Sequence, residues 1–338
     1  MKNDNLTQLI QAAFLKRADL IQKLEAEGTD TWRIFHGINE GCPGLTIDRY
    51  GKQVLIQSFR EPLDDAEIKE IKAVVSHGLG FSPRFVYHDR SEKNLKDQDL
   101  ERTAASESSP VLSECRELGV TFQTVDIFRG QDPLLFIDLR SARRFLMKQS
   151  KGKSVLNLFA YTCGAGVAAA VAGAREVWNV DFAKSSLDYG RANALLNQIT
   201  DERIRFIQQD VIAMLRQLSG LGIKGKARLR PIQKFTVRTF DIVFMDPPTL
   251  AKSAFGVVDI IRDYQGIFKP ALLCVAPGGL LICTNHAPEV ELEIWLDQLK
   301  RCAEKAGRPI TDIQVIEPEP DFPSPDGKFP LKVAVCRL

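Results

Sequence analysis

Two hydrophobic periodicities divide the chain. In the first 30 residues, apolar side chains recur every three or four positions, which predicts one amphipathic helix over residues 5–27 that ends at Gly28. Up to about residue 90 the apolar positions instead form short runs typical of strands, with one helical pattern among them. The runs cover residues 32–38, 45–48, 54–59 and 84–88, and the helical pattern covers residues 64–75. This part of the chain predicts a small α/β unit.

The second half of the chain alternates strand and helix patterns. A charged, serine-rich stretch at 91–110 predicts a linker, and a hairpin is expected at 117–127. Predicted strands then cover residues 155–159, 176–180, 204–208, 240–245, 280–284, 312–316 and 331–336, and predicted helices cover 166–173, 184–197, 211–218, 259–275 and 289–306. Such alternation is typical of a sheet with helices on both faces. We therefore expect a doubly wound, Rossmann-like α/β domain at 111–338, preceded by a helix and a small α/β domain at 1–90.

Composition narrows the class of protein. The 338 residues are 44% hydrophobic, which is enough for two domains with packed cores. A formal net charge of +2 means that attraction to nucleic acid must come from local basic patches. The seven cysteines contain no Cys-x-x-Cys pair, and an odd number cannot all pair within one chain, so a reduced, cytoplasmic protein is expected. No signal-peptide core and no membrane-spanning run occur, which argues against a secreted or membrane protein.

Two of the predicted strands stop abruptly in unusual loops. The strand at 155–159 leads into a small-residue segment around Gly164, where a helix N-terminus can approach a ligand closely. The strand at 240–245 leads into Asp246-Pro247-Pro248-Thr249. In an open parallel sheet both endings lie at the carboxyl edge, where ligands bind. A carboxylate fixed ahead of two prolines suits a site that holds a planar base or amide against a reactive cofactor.

Two further acidic residues follow neighbouring strands. Asp181 follows the second strand, at a position where a carboxylate accepts the ribose hydroxyls of an adenosine ligand. Asp210 follows the third strand, where it can accept a hydrogen bond from an adenine amino group. Taken singly, each could instead be a helix N-cap, since Asp is common there. One acidic residue after each of three consecutive strands, with Asp246 as the third, is a more specific signal.

Segments 155–162, 136–140, 246–249 and 44–51 carry a family resemblance. Residues 154–285 resemble the class I S-adenosylmethionine-dependent methyltransferases, and nearly the whole chain resembles the RlmI/RlmK-like large-subunit ribosomal RNA methyltransferases among them. The resemblance implies S-adenosylmethionine as cofactor, a seven-stranded sheet whose last strand is antiparallel, and a base of ribosomal RNA as methyl acceptor. The sequence departs from the family at Cys163, where glycine is usual, and at Asp321-Phe322-Pro323, which replaces an Asp-His-Pro tail.

The resemblance also implies which residues hold the two substrates. The cofactor is expected against Phe159, Ala160, Tyr161 and Gly164 at its methionine and ribose end, Asp181 and Phe182 at the ribose, Asp210 and Val211 at the adenine, and Asp246 at its reactive end. The acceptor base is expected against Asp246, Pro247, Pro248, Thr249 and Asn285, which are the predicted catalytic residues.

The acceptor atom can be argued chemically. Methylation of cytosine at C5 needs a thiolate to attack the neighbouring ring carbon, whereas guanine N7 carries a free lone pair and needs only alignment. In RlmI-like relatives a cysteine follows the Gly-Gly strand, but here His286 stands at that position and Cys283 falls inside the strand. Thr284-Asn285 resembles the Ser-Asn of RlmK. The sequence therefore favours guanine N7, with cytosine C5 as the alternative.

Basic side chains suggest where RNA binds. The segment 221–239 contains no acidic residue, and its cations fit phosphate neutralisation or a merely solvated loop. The predicted RNA-binding residues there are Lys224, Lys226, Arg228 and Arg230. Asp138 and Arg140, within the family match, are the other candidates. No metal-ligand spacing occurs among the histidines, so no metal is expected.

Other classes of function remain open at this point. An NAD-dependent dehydrogenase would use a Gly-x-Gly-x-x-Gly loop, and the sequence from Gly164 fits this apart from alanine at the last position. The Asp-Pro-Pro turn, however, has no role in hydride transfer. A non-catalytic RNA-binding protein on a methyltransferase fold, or a methyltransferase with a non-RNA acceptor, is also compatible with the fold. The sequence does not distinguish a monomer from a homodimer.

Overall fold

The computed structural model of the chain describes residues 6–91, 112–125, 133–199, 202–223, 229 and 232–338. The chain forms two compact units. The first consists of residues up to Asp138 together with Pro318–Lys328, and the second consists of Leu139–Glu317 and Phe329–Leu338. The boundary therefore differs from the one predicted at 110/111. The physical reason is that the hairpin at 112–125 hydrogen-bonds to the first unit, through Asp30 N to Arg116 O and Gln53 Nε2 to Val125 O.

The first unit is a four-stranded sheet packed against helices. Its elements are α1 (Leu6–Lys16), α2 (Ala18–Ala26), β1 (Thr31–His36), β2 (Leu45–Tyr50), β3 (Gln53–Ser58), α3 (Asp65–Leu79), β4 (Arg84–Asp89) and the hairpin β5 (Leu112–Glu117) and β6 (Val120–Val125). The strand order is β1-β2-β3-β4, with β3 and β4 parallel and joined by α3. Asp64 and Glu67 form a capping box that begins α3.

The first helix predicted from sequence is divided at Arg17. The Arg17 guanidinium donates to the Ala13 carbonyl at 3.3 Å and forms a buried ion pair with Glu40 at 2.6 Å. Hydrophobic spacing continues through the break, so periodicity alone does not reveal it. The predicted hairpin at 117–127 is likewise displaced, because the turn lies at Leu118-Gly119 and not near residue 122.

Residues 318–328 lie between two strands of the second unit but pack on the first. Asp321 is fully buried and accepts a hydrogen bond from the backbone N–H of Arg33 at 3.0 Å. Phe322 lies under the Arg33 guanidinium, whose carbon is 4.5 Å from the ring centre. The same guanidinium makes a bidentate pair with Asp48 at 2.8 and 2.9 Å. The Asp-Phe-Pro departure from the family is thus a tertiary anchor.

The second unit is a seven-stranded sheet covered by helices. Its elements are α4 (Arg140–Ser150), β7 (Ser154–Leu158), α5 (Gly164–Val171), β8 (Glu176–Asp181), α6 (Lys184–Leu196), β9 (Ile204–Gln208), α7 (Val211–Leu218), β10 (Phe240–Met245), β11 (Leu250–Ser253), β12 (Gly256–Asp259), α8 (Gln265–Leu273), β13 (Val275–Asn285), α9 (Leu292–Lys305), β14 (Asp312–Ile316) and β15 (Lys332–Arg337). The order is β14-β15-β13-β10-β7-β8-β9, and β15 is antiparallel to both neighbours. The predicted doubly wound fold is confirmed.

Two elements of this unit depart from the sequence prediction. Helix α4 was not predicted, and the hairpin β11–β12 occupies residues before a helix that was predicted to begin at 259 but begins at Gln265. None of the described helices is long and apolar enough to cross a membrane.

Candidate functional site

The carboxyl ends of β9, β8, β7, β10 and β13 meet at one edge of the second unit, because these five neighbouring strands are parallel. Asp210, Asp181, the loop 159–163, Asp246 and the Thr284-Asn285 pair all lie there. The structure therefore brings together the residues that the sequence predicted at three strand ends. Ligands of open α/β sheets bind at this edge.

The loop after β7 carries unusual backbone strain. Phe159, Tyr161 and Cys163 have φ values of 56°, 48° and 62°, in the left-handed region. Each such residue costs about 1–2 kcal/mol, and strain of this kind concentrates at functional sites. Asp181 holds the loop by accepting the Tyr161 N–H at 2.9 Å. The loop is thus fixed in one shape at the ligand-binding edge.

Cys163 fits where the family has glycine because the opposing helix has no side chain there. A Cβ added to Gly190 of α6 would lie 2.4 Å from the Cys163 sulfur, so the thiol fills the space that Gly190 leaves. A Cβ at Gly166 would lie 1.8 Å from the Asn179 Oδ1, so the N-terminal turn of α5 packs directly on β8. The two glycines allow the loop and the helix N-terminus to sit close to the sheet edge.

The two acids predicted to hold an adenosine ligand already accept hydrogen bonds from backbone N–H groups. Asp181 is 7% exposed, and its two oxygens accept the Tyr161 and Ala183 N–H groups at 2.9 Å each. Each oxygen keeps a further lone pair for a ribose hydroxyl. Asp210 caps α7 by accepting the Ala213 N–H at 2.9 Å, as the helix-cap alternative predicted, and its carboxyl group remains half-buried.

The side chains that follow these acids differ from each other. Phe182 is 71% exposed, which provides an apolar face for a planar ring. Val211 is 4% exposed and belongs to the core of the unit. An amphipathic helix turns its first apolar residue inward, and the predicted contact of Val211 with the cofactor stays a prediction.

The acceptor side of the edge is built from the ends of β10 and β13. The Thr284 hydroxyl donates to the Asp246 carboxylate, which ties the two strand ends together. Pro247 is buried, Pro248 is half-buried and Thr249 is exposed. The Thr249 Oγ1 lies 2.8 Å from Nε2 of His286. Asp246, Thr249 and His286 thus form a polar edge next to the strained loop.

Asn285 does not face this edge, contrary to the prediction. It is fully buried, its Nδ2 donates to the Ile260 carbonyl at 3.0 Å, and its Oδ1 accepts the Ala287 N–H at 3.0 Å. The next residue, His286, presents its side chain instead. Side chains alternate between the two faces of a strand, but the sequence does not say which of Asn285 and His286 points toward the acceptor edge.

All seven cysteines are buried, which disfavours their use as nucleophiles. Burial raises the pKa of the Cys283 thiol well above its ordinary value, and its contact with Cys336 acts in the same direction. Burial likewise raises the pKa of the Cys163 thiol, and the nearby Asp181 charge adds to this. Thiolate chemistry requires the deprotonated, accessible form, which these positions disfavour.

The predicted RNA-binding residues are only partly described. Lys224, Lys226, Arg228 and Arg230 lie outside the described residues. Asp138 is half-buried in a 3₁₀ turn of the first unit. Arg140 begins α4 with a fully buried side chain, so its predicted contact with RNA phosphate is corrected. Among the described residues, no group of acidic, His and Cys side chains could hold a metal ion.

Comparison with known proteins identifies the family. Residues 32–337 match the S-adenosylmethionine-dependent methyltransferase family. The chain belongs to this family. Ribosomal RNA large subunit methyltransferase I of Vibrio vulnificus is 30% identical over 97% of this chain and 79% of its own length, and that of Aeromonas hydrophila is 29% identical over 96% and 80%. A solved Streptococcus mutans protein described as a SAM-dependent methyltransferase superposes with a TM-score of 0.76 at 22% identity, covering 98% of this chain and 80% of that one.

The enzyme is therefore a methyltransferase that uses S-adenosylmethionine. The residues at the sheet edge fit this cofactor: a fixed loop, a helix N-terminus that packs close to the sheet, an acid with lone pairs for ribose, and the exposed ring of Phe182. The dehydrogenase alternative is excluded by the family match. The bound cofactor supplies a methyl group on a sulfonium, which is electrophilic without any metal.

Proposed function

We propose that the enzyme methylates N7 of a guanine in large-subunit ribosomal RNA. The RNA acceptor is supported by relatives named as ribosomal RNA large subunit methyltransferases that align over 97% of the chain. The choice of a base as acceptor is supported by the polar edge at Asp246, Thr249 and His286. A base in structured RNA must leave its stack to reach such an edge.

The choice of N7 rests on the burial of all seven thiols. Cytosine C5 becomes nucleophilic only after a thiolate adds to the neighbouring carbon, and no cysteine is exposed to supply one. Guanine N7 already carries the electron pair that forms the new bond. No proton has to be removed, and the product base is cationic. The Asp246 carboxylate at the acceptor edge stabilises the positive charge that develops on the base.

Asp246 also suits guanine by its hydrogen-bonding capacity. A carboxylate accepts several hydrogen bonds, so the group that accepts the Thr284 hydroxyl can also accept the N1–H and amino group of a guanine. Adenine presents an acceptor at N1 and would be repelled. The carboxylate therefore orients the base by its N1 edge. The opposite edge of the base, which carries N7, then faces the methyl group.

The test is mass spectrometry of ribosomal RNA nucleosides from cells with and without this chain. We expect one 7-methylguanosine to disappear from large-subunit RNA, to return with the wild-type chain and its Asp188→Asn variant, and to stay absent with Asp246→Asn. Asp188 is exposed on α6 and serves as the matched control. Loss of 5-methylcytidine instead would overturn the N7 assignment. An unchanged nucleoside profile would overturn the RNA acceptor.

A further inference from the structure

The segment after β13 is fixed by hydrogen bonds on both sides. The Tyr264 hydroxyl donates to the Thr284 carbonyl at 2.7 Å, and both ends of the Asn285 amide bond to backbone groups. The chain direction at residue 286 is therefore set from within the core. Asn285 acts here as a positioning residue.

The far side of the same segment is held by Lys332. This residue lies opposite Asn285 in the β13–β15 pairing, and it is 7% exposed. Its ammonium donates to the Ala287 and Pro330 carbonyls at 2.9 Å each. The Tyr264 hydroxyl, the Asn285 amide and the Lys332 ammonium each donate to a backbone carbonyl at or around this short segment. The segment therefore has little freedom, and the side chain that it presents is held in a fixed position.

That side chain is His286. It is half-buried, and its Nε2 lies 2.8 Å from the Thr249 hydroxyl, which follows the Asp-Pro-Pro turn. Within the described part of the chain, Nδ1 has no hydrogen-bond partner. The two residues come from the ends of adjacent strands, with Asp246 and its Thr284 partner between those strand ends.

We propose that His286 and Thr249 recognise the acceptor guanine by donating a hydrogen bond to its O6. This inference rests on the proposed function and names the residues that read the base. If the Thr249 hydroxyl donates to Nε2, then Nδ1–H is free to donate to the base. If Nε2–H donates to Oγ1, then the Thr249 hydroxyl is free to donate. Either tautomer offers one donor, which suits a carbonyl oxygen.

The position of O6 on the base agrees with this assignment. O6 lies between N7, which must face the methyl group, and N1–H, which suits the Asp246 carboxylate. A donor next to Asp246 therefore meets O6 when the other two contacts are made. A correctly oriented donor at O6 aligns N7 and contributes to rate as well as to binding.

The experiment measures methyl transfer to ribosomal RNA isolated from cells that lack this chain, with labelled S-adenosylmethionine. We expect His286→Ala to lower kcat/KM by about 10- to 100-fold and Thr249→Val by about tenfold. We expect His286→Asn, which keeps a donor, to recover much of the loss. Cofactor affinity should stay within twofold in all three variants. His77→Ala, on a helix of the first unit, is the control.

The outcomes separate the two proposals. No transfer by the wild-type enzyme would overturn the proposed function and this inference together. Transfer by the wild type with an unchanged rate in His286→Ala would overturn only the inference. A loss of cofactor affinity equal to the loss of rate would also overturn it, because His286 would then be structural.

A substitution in the RNA tests the contact itself. Once the methylated nucleotide is mapped, a short RNA carrying 6-thioguanine at that position weakens the acceptor at O6. We expect the wild type to lose about five- to tenfold in kcat/KM on this RNA and His286→Ala to lose less than twofold. Equal losses in both enzymes would show that His286 does not donate to O6.

Discussion

At the scale of single residues, the loop after β7 shows how a cysteine replaces a glycine. Cys163 keeps the left-handed φ of 62° that glycine adopts without cost, and Gly190 on α6 makes room for its sulfur. The loop therefore keeps its shape although the residue type has changed. The left-handed backbone at Cys163 costs about 1–2 kcal/mol relative to glycine.

A double-mutant cycle tests this coupling. Gly190→Ala should destabilise the enzyme by about 1–3 kcal/mol, because the added Cβ overlaps the Cys163 sulfur. The same change in a Cys163→Gly background should cost less than half as much, and urea unfolding of the four proteins measures the difference. Additive effects would mean that the two positions do not share the space.

Asp181 gives a prediction about cofactor affinity. Asp181→Asn removes the charge that accepts the ribose hydroxyls and should weaken S-adenosylmethionine by roughly 1.5 to 3 kcal/mol, or ~10- to 150-fold in Kd. Calorimetric titration measures it, with Asp188→Asn on the neighbouring helix as control. Unchanged affinity would show that the carboxylate serves only the Tyr161 and Ala183 N–H groups.

At the scale of elements, the sequence predicted those with clear periodicity. Strands at 204–208, 240–245 and 312–316 and the helix at 211–218 have the predicted bounds, because each alternates or repeats its apolar residues between polar stops. Helix α4 was not predicted because its buried face includes Arg140 and Arg143, and a hydrophobic periodicity treats arginine as solvent-facing. The hairpin β11–β12 escaped because few of its residues are buried. Asn285 was predicted at the acceptor edge but its side chain is buried, because the phase of a strand depends on tertiary packing.

The basic segment before β10 gives a prediction about RNA. Replacing Lys224, Lys226, Arg228 and Arg230 with serine should weaken binding to ribosomal RNA. The dependence of binding on log salt should become flatter by about 0.7 to 0.9 for each phosphate that is no longer neutralised. Filter binding at several salt concentrations measures the slope. Cofactor affinity should not change, because none of these four residues is among those expected to hold the cofactor. An unchanged slope would mean that the segment is solvated and does not touch phosphate.

At the scale of the whole molecule, the two units have separate hydrophobic cores. In the first unit, Arg33 pairs with Asp48, and the buried Arg17 pairs with Glu40. His36 lies beside them, and its Nδ1 is 3.0 Å from Arg33. Burial, and then the charges of Arg33 and Arg17, lower the pKa of His36 from 6.5 to about 4. Protonation of His36 is therefore disfavoured in the folded unit.

The stability of the enzyme should fall in mild acid. Between pH 6.5 and 4 the unfolded chain binds a proton at His36 and the folded chain does not, so stability from this group is complete above pH 6.5 and is lost toward pH 4. Allowing for partial exposure, the loss should be about 2 kcal/mol over this range. Urea unfolding at several pH values measures it. His36→Gln should flatten the profile, and an equally steep profile in that variant would assign the effect elsewhere.

The anchor at 318–328 has a consequence for biosynthesis. The backbone N–H of Arg33 finds its acceptor in Asp321, 288 residues later in the chain. At a synthesis rate of about 5–20 residues per second, this partner emerges roughly 15 to 60 seconds after β1 does. Until the cofactor-binding sheet has almost been synthesised, the backbone N–H of Arg33 therefore lacks its acceptor Asp321, and Phe322 does not yet cover the Arg33 guanidinium. A ribosome that stalls anywhere before residue 321 releases a chain in which neither unit is complete, and such a chain is a ready substrate for chaperones and proteases.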